Sequence, residues 1–124
     1  MKESHLLFVD DDTDMLEAVQ SALKNLGFAV STASDGPAAL ALLEKTTPDL
    51  IITDLRMQPM NGFELFQEVK KIPRFAKTPF FFLTAINDPL AARYSETLGV
   101  DAYITKPVDV DELGSIIKKK LESK

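Results

Sequence analysis

The chain has 124 residues, 45% of them apolar and 27% charged, with a net charge of −5 at pH 7 and no cysteine. That length suits one domain, expected over residues 1–124, with enough chain to bury a true core. The missing cysteines exclude disulfides and thiolate chemistry, the acidic balance argues against a nucleic-acid surface, and the apolar runs are far too short to span a bilayer.

His5-Leu6-Leu7-Phe8-Val9 is a continuous apolar run that ends in Asp10-Asp11-Asp12. It reads as a strand covered on both faces. Leu16, Val19, Leu23 and Leu26 then fall at helical spacing, with Gly27 as the stop. Phe28 to Ala33 is a weaker strand, mixed with Ser31 and Thr32, and belongs at a sheet edge. Asp35-Gly36-Pro37 opens a second helix from Ala38 to Glu44, with the proline near its first turn.

Pro48-Asp49 precedes Leu50-Ile51-Ile52, an unalternating β-branched run that delivers Asp54 at its carboxyl end. After the polar turn Gln58-Pro59-Met60-Asn61-Gly62, Leu65, Val69 and Ile72 mark one face of a third helix, and Pro73 to Pro79 reads as loop. Phe80-Phe81-Phe82-Leu83 is a fourth strand ending at Thr84. Its three phenylalanines are explained by burial in a central strand without invoking a ligand.

Asp88-Pro89 starts a helix that runs to Leu98 and stops at Gly99, and Ala102-Tyr103-Ile104-Thr105 is the last strand, followed by Lys106-Pro107. Asp109-Val110-Asp111-Glu112 has the pattern of a capping box for a final helix, with Leu113, Ile116, Ile117 and Leu121 inward. Gly114 inside that helix runs against helix propensity, and the pattern offers no reason for it. Lys118-Lys119-Lys120 reads as a solvated face that complements the helix dipole. Met1-Lys2-Glu3-Ser4-His5 has no signal-peptide pattern, so a cytoplasmic location is expected.

Five strands alternating with five helices imply a doubly wound α/β fold, with parallel strands and helices on both faces. In such a sheet every strand's carboxyl end lies on one edge, where ligands bind. Four strands end there in Asp10 and Asp11, in Asp54, in Thr84 and in Lys106, while Phe28 to Ala33 ends in nothing comparable. Each residue alone has an ordinary reading as turn residue, helix cap, strand end or surface lysine. Their sorting to one edge does not.

Asp10, Asp11 and Asp54 crowded in one pocket would repel unless a cation entered. Carboxylate oxygens in a half-open site suit Mg²⁺ better than Ca²⁺, with Mn²⁺ as a substitute. Mg²⁺ and Lys106 together balance the three charges. Asp54 could then accept a phosphoryl group, with Thr84 adding a hydrogen bond to it.

Phe8-Val9-Asp10-Asp11-Asp12, Asp49-Leu50-Ile51-Ile52-Thr53-Asp54, Phe82-Leu83-Thr84-Ala85 and Tyr103-Ile104-Thr105-Lys106-Pro107 resemble the motifs of two-component response-regulator receiver domains, in order and spacing, from about His5 to the end. The resemblance implies a flavodoxin-like three-layer sandwich with strand order 2-1-3-4-5. It implies that Asp54 takes phosphate from a histidine of a sensor kinase or phosphotransfer protein. Asp10 and Asp11 would hold Mg²⁺ with Asp54 and the Arg56 backbone carbonyl. Lys106 and Thr84 would bind phosphoryl oxygens, and Tyr103 would change rotamer as the output switch.

The implied partner face is the fourth helix (Leu90 to Leu98) with the fifth strand and fifth helix, reading out to an effector protein or fused output domain. The domain would be a phosphoacceptor with only self-phosphorylation and slow self-dephosphorylation, not an enzyme in the usual sense. Arg56 and Ile86 would line the rim that tunes that decay. A cis Lys106-Pro107 peptide is expected, as in similar proteins.

Gln58 departs from the family's usual Met-Pro turn, but the length to Gly62 is kept, so an altered turn is expected, not a broken site. A flavodoxin-type FMN binder would need a phosphate cradle where three aspartates stand. A haloacid-dehalogenase-type phosphatase would need a second Asp at position 56, which is Arg56. A degenerate receiver that only binds proteins would lack some of the polar groups present here.

Overall fold

In the computed structural model, which describes residues 3–123, the apolar runs become β1 (His5–Val9), β3 (Leu50–Thr53) and β4 (Phe80–Thr84), flanked by β2 (Ala29–Ala33) and β5 (Ala102–Thr105). The five strands are parallel, in the order β2-β1-β3-β4-β5. The weaker strand is at an edge, as its mixed sequence implies. Between the strands run α1 (Thr13–Asn25), α2 (Gly36–Leu43), α3 (Gly62–Lys70), α4 (Pro89–Leu98) and α5 (Val110–Glu122).

Alternate side chains of the buried strands feed two cores. Leu6, Phe8, Leu50, Ile52, Phe81 and Leu83 meet α1 and α5 through Leu16, Val19, Leu23, Leu113 and Ile117. Leu7, Val9, Ile51, Phe80 and Phe82 meet α2 and α3 through Ala39, Leu43, Leu65, Phe66 and Val69. This is the period-two alternation of a strand working on two faces at once. Phe66, Phe80 and Phe82 meet edge to face, with ring centroids 5.1 to 6.2 Å apart. The phenylalanine run is therefore core.

Local chemistry sets most boundaries. Asp12, Asp35, Asn61, Asp88 and Asp109 cap the five helices with their side chains. Gly27 and Gly99, the expected stops, have φ of 101° and 89°. The Lys106–Pro107 peptide is cis as expected, and the altered turn contains a second cis peptide, Gln58–Pro59.

Four expectations need correction. Asp109 caps α5 by accepting from Asp111 N and Glu112 N, but the reciprocal capping box forms at α3, between Asn61 and Glu64. Helix α3 ends at Lys70, so Ile72 lies beyond it. The stretch from Pro73 is not plain loop: a 3₁₀ turn spans Pro73–Phe75 and buries Phe75 fully. Its carbonyl, with those of Ala76 and Thr78, accepts from Lys70 Nζ. Phe28 precedes β2, although it is buried against α1 and α5.

Gly114 now has a reason. A Cβ there would stand 2.6 Å from Leu26 Cδ1, so a larger residue would force the Leu26 side chain to move. Lys120 of the basic run pairs with Asp101 at 2.9 Å, and Asp101 also accepts from Phe80 N at 2.8 Å. His5 begins β1 and hydrogen-bonds Ser31 Oγ at 2.7 Å.

Candidate functional site

Because the strands are parallel, the residues that follow β1, β3, β4 and β5 come together at one edge. Backbone hydrogen bonds set their heights. Asp10 N donates to Ala33 O at 3.1 Å, Asp54 N to Val9 O at 3.0 Å, and Lys106 N to Thr84 O at 2.8 Å. Each polar residue is thus anchored to the neighbouring strand at the point where its side chain leaves the sheet.

Asp10 is fully buried and Asp54 only 8% exposed, whereas Asp11 is exposed. Asp10 Oδ1 accepts from Asp12 N at 3.0 Å, and Asp12 in turn caps α1. The three consecutive aspartates therefore divide the work, Asp10 and Asp11 joining Asp54 in one carboxylate group and Asp12 capping α1. Asp54 Oδ1 accepts from Leu55 N at 2.6 Å and Arg56 N at 3.4 Å. Gly62 at the start of α3 lies directly under this loop, where a Cβ would come within 2.3 Å of the Asp54 carbonyl oxygen.

The Lys106 ammonium bridges Asp10 Oδ2 at 2.8 Å and Asp54 Oδ2 at 3.2 Å. Burial pushes the Asp10 carboxyl above the usual carboxylate range, and the Lys106 hydrogen bond offsets this only in part. For Lys106, burial works to lower the ammonium's pKa. Its hydrogen bonds to Asp10 and Asp54 and their charges outweigh that and hold it above the usual lysine value.

Thr84 is buried, and its Oγ1 accepts from Ile86 N at 3.2 Å, which leaves the hydroxyl proton free to donate. Tyr103 is half-buried, and its hydroxyl donates to Ile86 O at 2.6 Å. Burial, then the negative charges of Asp88 and Asp54, raise the Tyr103 phenol. All the predicted residues except Tyr103 line one open cleft of about 330 Å³, joined there by Asp12 and Ala85. Ala85 is the lining residue sequence reasoning gave no role. Its signal was a small residue directly after an apolar strand.

Carboxylate oxygens of Asp10, Asp11 and Asp54 lie within 4.8 Å of one another. With Lys106 among them, two negative charges are left over, which is the charge of one divalent ion. Hard oxygen donors in an open cleft fit Mg²⁺ or Mn²⁺.

The profile of the response regulator receiver domain family matches residues 6–118. The transcriptional regulatory protein GlrR of Escherichia coli is 40% identical over 124 residues, covering 98% of this chain and 27% of that protein. A CheY-like response regulator receiver domain protein from Methanospirillum hungatei superposes with a TM-score of 0.90 at 30% identity, over 98% of this chain and 96% of that one. The chemotaxis response regulator CheY4 of Vibrio cholerae gives 0.83 at 30% identity, over 98% of each chain. The first curated relatives are longer, and the chain spans between 18% and 54% of their length.

Proposed function

The chain belongs to the response regulator receiver domain family, and from that premise we propose that it is a Mg²⁺-dependent phosphoacceptor that carries a phosphoryl group on Asp54. The observation that carries this reading is the Lys106 ammonium held between Asp10 and Asp54 in a pocket that still has two negative charges to balance.

Asp10, Asp11 and Asp54, with the Arg56 backbone carbonyl, would hold the ion. When bound, it supplies neutralising charge for the oxygens of a transferring phosphoryl group. The remaining chemistry falls to the chain. Two backbone amides occupy Asp54 Oδ1, so Oδ2, on the Lys106 side, is the attacking oxygen. It forms the new O–P bond while the N–P bond to a donor histidine breaks, its electron pair returning to the imidazole nitrogen. Lys106, within hydrogen-bond reach of Oδ2, then needs only a short movement to meet a phosphoryl oxygen. Thr84 has a free proton to give to another.

The donor class is a sensor histidine kinase or a histidine phosphotransfer protein in the cytoplasm. The output face, offered to a downstream effector protein or fused output domain, is α4, β5 and α5, which carries the exposed Leu90 and Tyr94. A shift of Thr84 toward the phosphoryl group would pull on the Ile86 segment that holds the Tyr103 hydroxyl, and so alter that face. Amide shifts with and without beryllofluoride should change across α4, β5 and α5, and changes confined to the loops around Asp54 would refute the output reading.

The phosphoacceptor reading is tested by incubation with a small phosphodonor, with and without Mg²⁺, followed by intact-mass measurement. One phosphoryl group should appear only with Mg²⁺ and should be absent from Asp54→Asn. Unchanged mass in the wild type would overturn the reading.

A further inference from the structure

Among the described residues, the buried side chains that are polar or charged are Asp10, Thr53, Asp54, Thr84 and Ser95. Three belong to the site already described, and Ser95 donates back to Ala91 O at 2.8 Å. Thr53 is the remainder. It ends β3, opposite Val9 on one side and Phe82 on the other, where a valine of the same shape would pack without any hydroxyl to satisfy. Burying a hydroxyl costs free energy unless it is hydrogen-bonded, so its partners define what it does there.

Thr53 Oγ1 lies 3.0 Å from the Asp54 carbonyl oxygen and 3.8 Å from Met57 Sδ. With a single proton it favours the carbonyl, because a thioether is the weaker acceptor. That carbonyl is one end of the rigid plane joining Asp54 to Leu55. The other end of the same plane is Leu55 N–H, which donates to Asp54 Oδ1 at 2.6 Å. The two contacts therefore act on one unit: whatever holds the carbonyl also aims the N–H. On its far side the plane is backed by Gly62, where there is no room for a Cβ beside the same oxygen.

We propose that Thr53 is a positioning residue for Asp54, its hydroxyl fixing the peptide plane whose N–H pins Oδ1 and so turns Oδ2 toward Lys106. The inference rests on the phosphoacceptor reading for its consequence. Without the hydroxyl the plane can rock, and a reacting oxygen displaced by a fraction of an ångström loses rate long before the fold loses stability.

Thr53→Val and Thr53→Ser separate this role from a merely structural one. The valine keeps the shape and removes the hydroxyl, so its melting temperature should equal or exceed that of the wild type. Its phosphorylation rate at saturating donor and Mg²⁺ should fall about tenfold, within the loss that misplacement of about 1 Å can cause. The serine keeps the hydroxyl and opens a methyl-sized gap, so it should melt lower yet be phosphorylated at near the wild-type rate. In metal-free protein without donor, the Leu55 amide resonance should move in Thr53→Val and stay close to wild type in Thr53→Ser.

This crossing of stability and rate is the expected result. A wild-type rate in Thr53→Val, or a loss of rate that Thr53→Ser shares, overturns the inference. Should the wild type itself take no phosphoryl group, the functional reading falls, and the Leu55 amide shift alone decides whether Thr53 orients Asp54.

Discussion

The central strands and the α4–β5 margin are built to different standards. Strands β3 and β4 are buried at every position, and β1 at all but its first residue. In β5 no residue is fully buried, and in α4 only Ser95 is, while Leu90 is 73% and Tyr94 45% exposed. The carboxylates hang from the first region. Lys106 and Tyr103 hang from the second. Few buried contacts mean low local stability and a low cost of rearrangement. On the proposed phosphoacceptor reading, such a division would hold the carboxylates in constant geometry while Lys106 and Tyr103 remain free to move.

The contrast can be broken most severely in the core. Phe81→Ala, in the middle of β4, should cost about 3–5 kcal/mol of unfolding free energy, as large-to-small changes in packed cores do. Leu90→Ala on α4 should stay within about 0.5 kcal/mol. Denaturant titration of both variants measures the difference, and comparable losses would show that the margin is as tightly held as the centre.

Charge sharpens the comparison at the next scale. Asp54→Asn should stabilise the metal-free protein by about 1 kcal/mol by relieving carboxylate repulsion. Mg²⁺ at about 100 times its dissociation constant should raise wild-type stability by about 2.7 kcal/mol, since it binds only the folded site, and should do much less for Asp54→Asn. Thermal melts with and without the ion decide this. Indifference of both proteins to Mg²⁺ would mean that the three carboxylates do not act as one ligand set.

A smaller effect is expected at the rim. Ile86 lines the cleft and cannot orient a water, and Arg56 can donate but cannot act as a base. Phosphorylated Asp54 should therefore decay slowly, and Ile86→Glu should speed decay several-fold, on the scale of about 1 kcal/mol that one oriented water contact supplies. The decay is followed by intact mass after donor removal at saturating Mg²⁺. Equal lifetimes would remove Ile86 from control of the water.

The smallest effect lies at alkaline pH. The Tyr103 phenol is raised by burial and by the nearby charges of Asp88 and Asp54. A raised group binds its proton more tightly in the folded protein, so its stabilising contribution is complete below the ordinary phenol value of about 10. It is then lost as the pH climbs through the raised value. Tyr103→Phe should flatten the fall in stability in that window, measured by denaturation at stepped pH. An unchanged slope would show that the Tyr103 hydroxyl contributes nothing at the margin.

Much of this molecule is legible one segment at a time. Apolar runs without alternation announced the doubly covered strands. Helical spacing marked three of the five helices, and Asp35, Asp88 and Asp109 announced starts, because these are local matters of which face is buried and which N–H is unpaired. The alternation of strand and helix placed Asp10, Asp11, Asp54, Thr84 and Lys106 on one edge, because parallel strands share their carboxyl ends. The order 2-1-3-4-5 came only by resemblance, since alternation alone allows several orders.

Other features depended on distance between parts far apart in the chain, which no local period encodes. Gly114 made sense only when Leu26 was found against it, and Phe75 became core only because the Pro73–Phe75 turn, packed against α3, adds it to the cluster on that face of the sheet. Lys106 reaches across 96 residues to Asp10 and 52 to Asp54, and the Tyr103 hydroxyl ends on a backbone carbonyl that has no signature in sequence. The contact of the Thr53 hydroxyl with the Asp54 carbonyl, on the peptide whose N–H meets Asp54 Oδ1, likewise exists only in the folded chain. Sequence sets which groups arrive at the edge, through periodicity and topology. Only packing sets their separations, because hydrogen bonds and charge pairs change strength over fractions of an ångström.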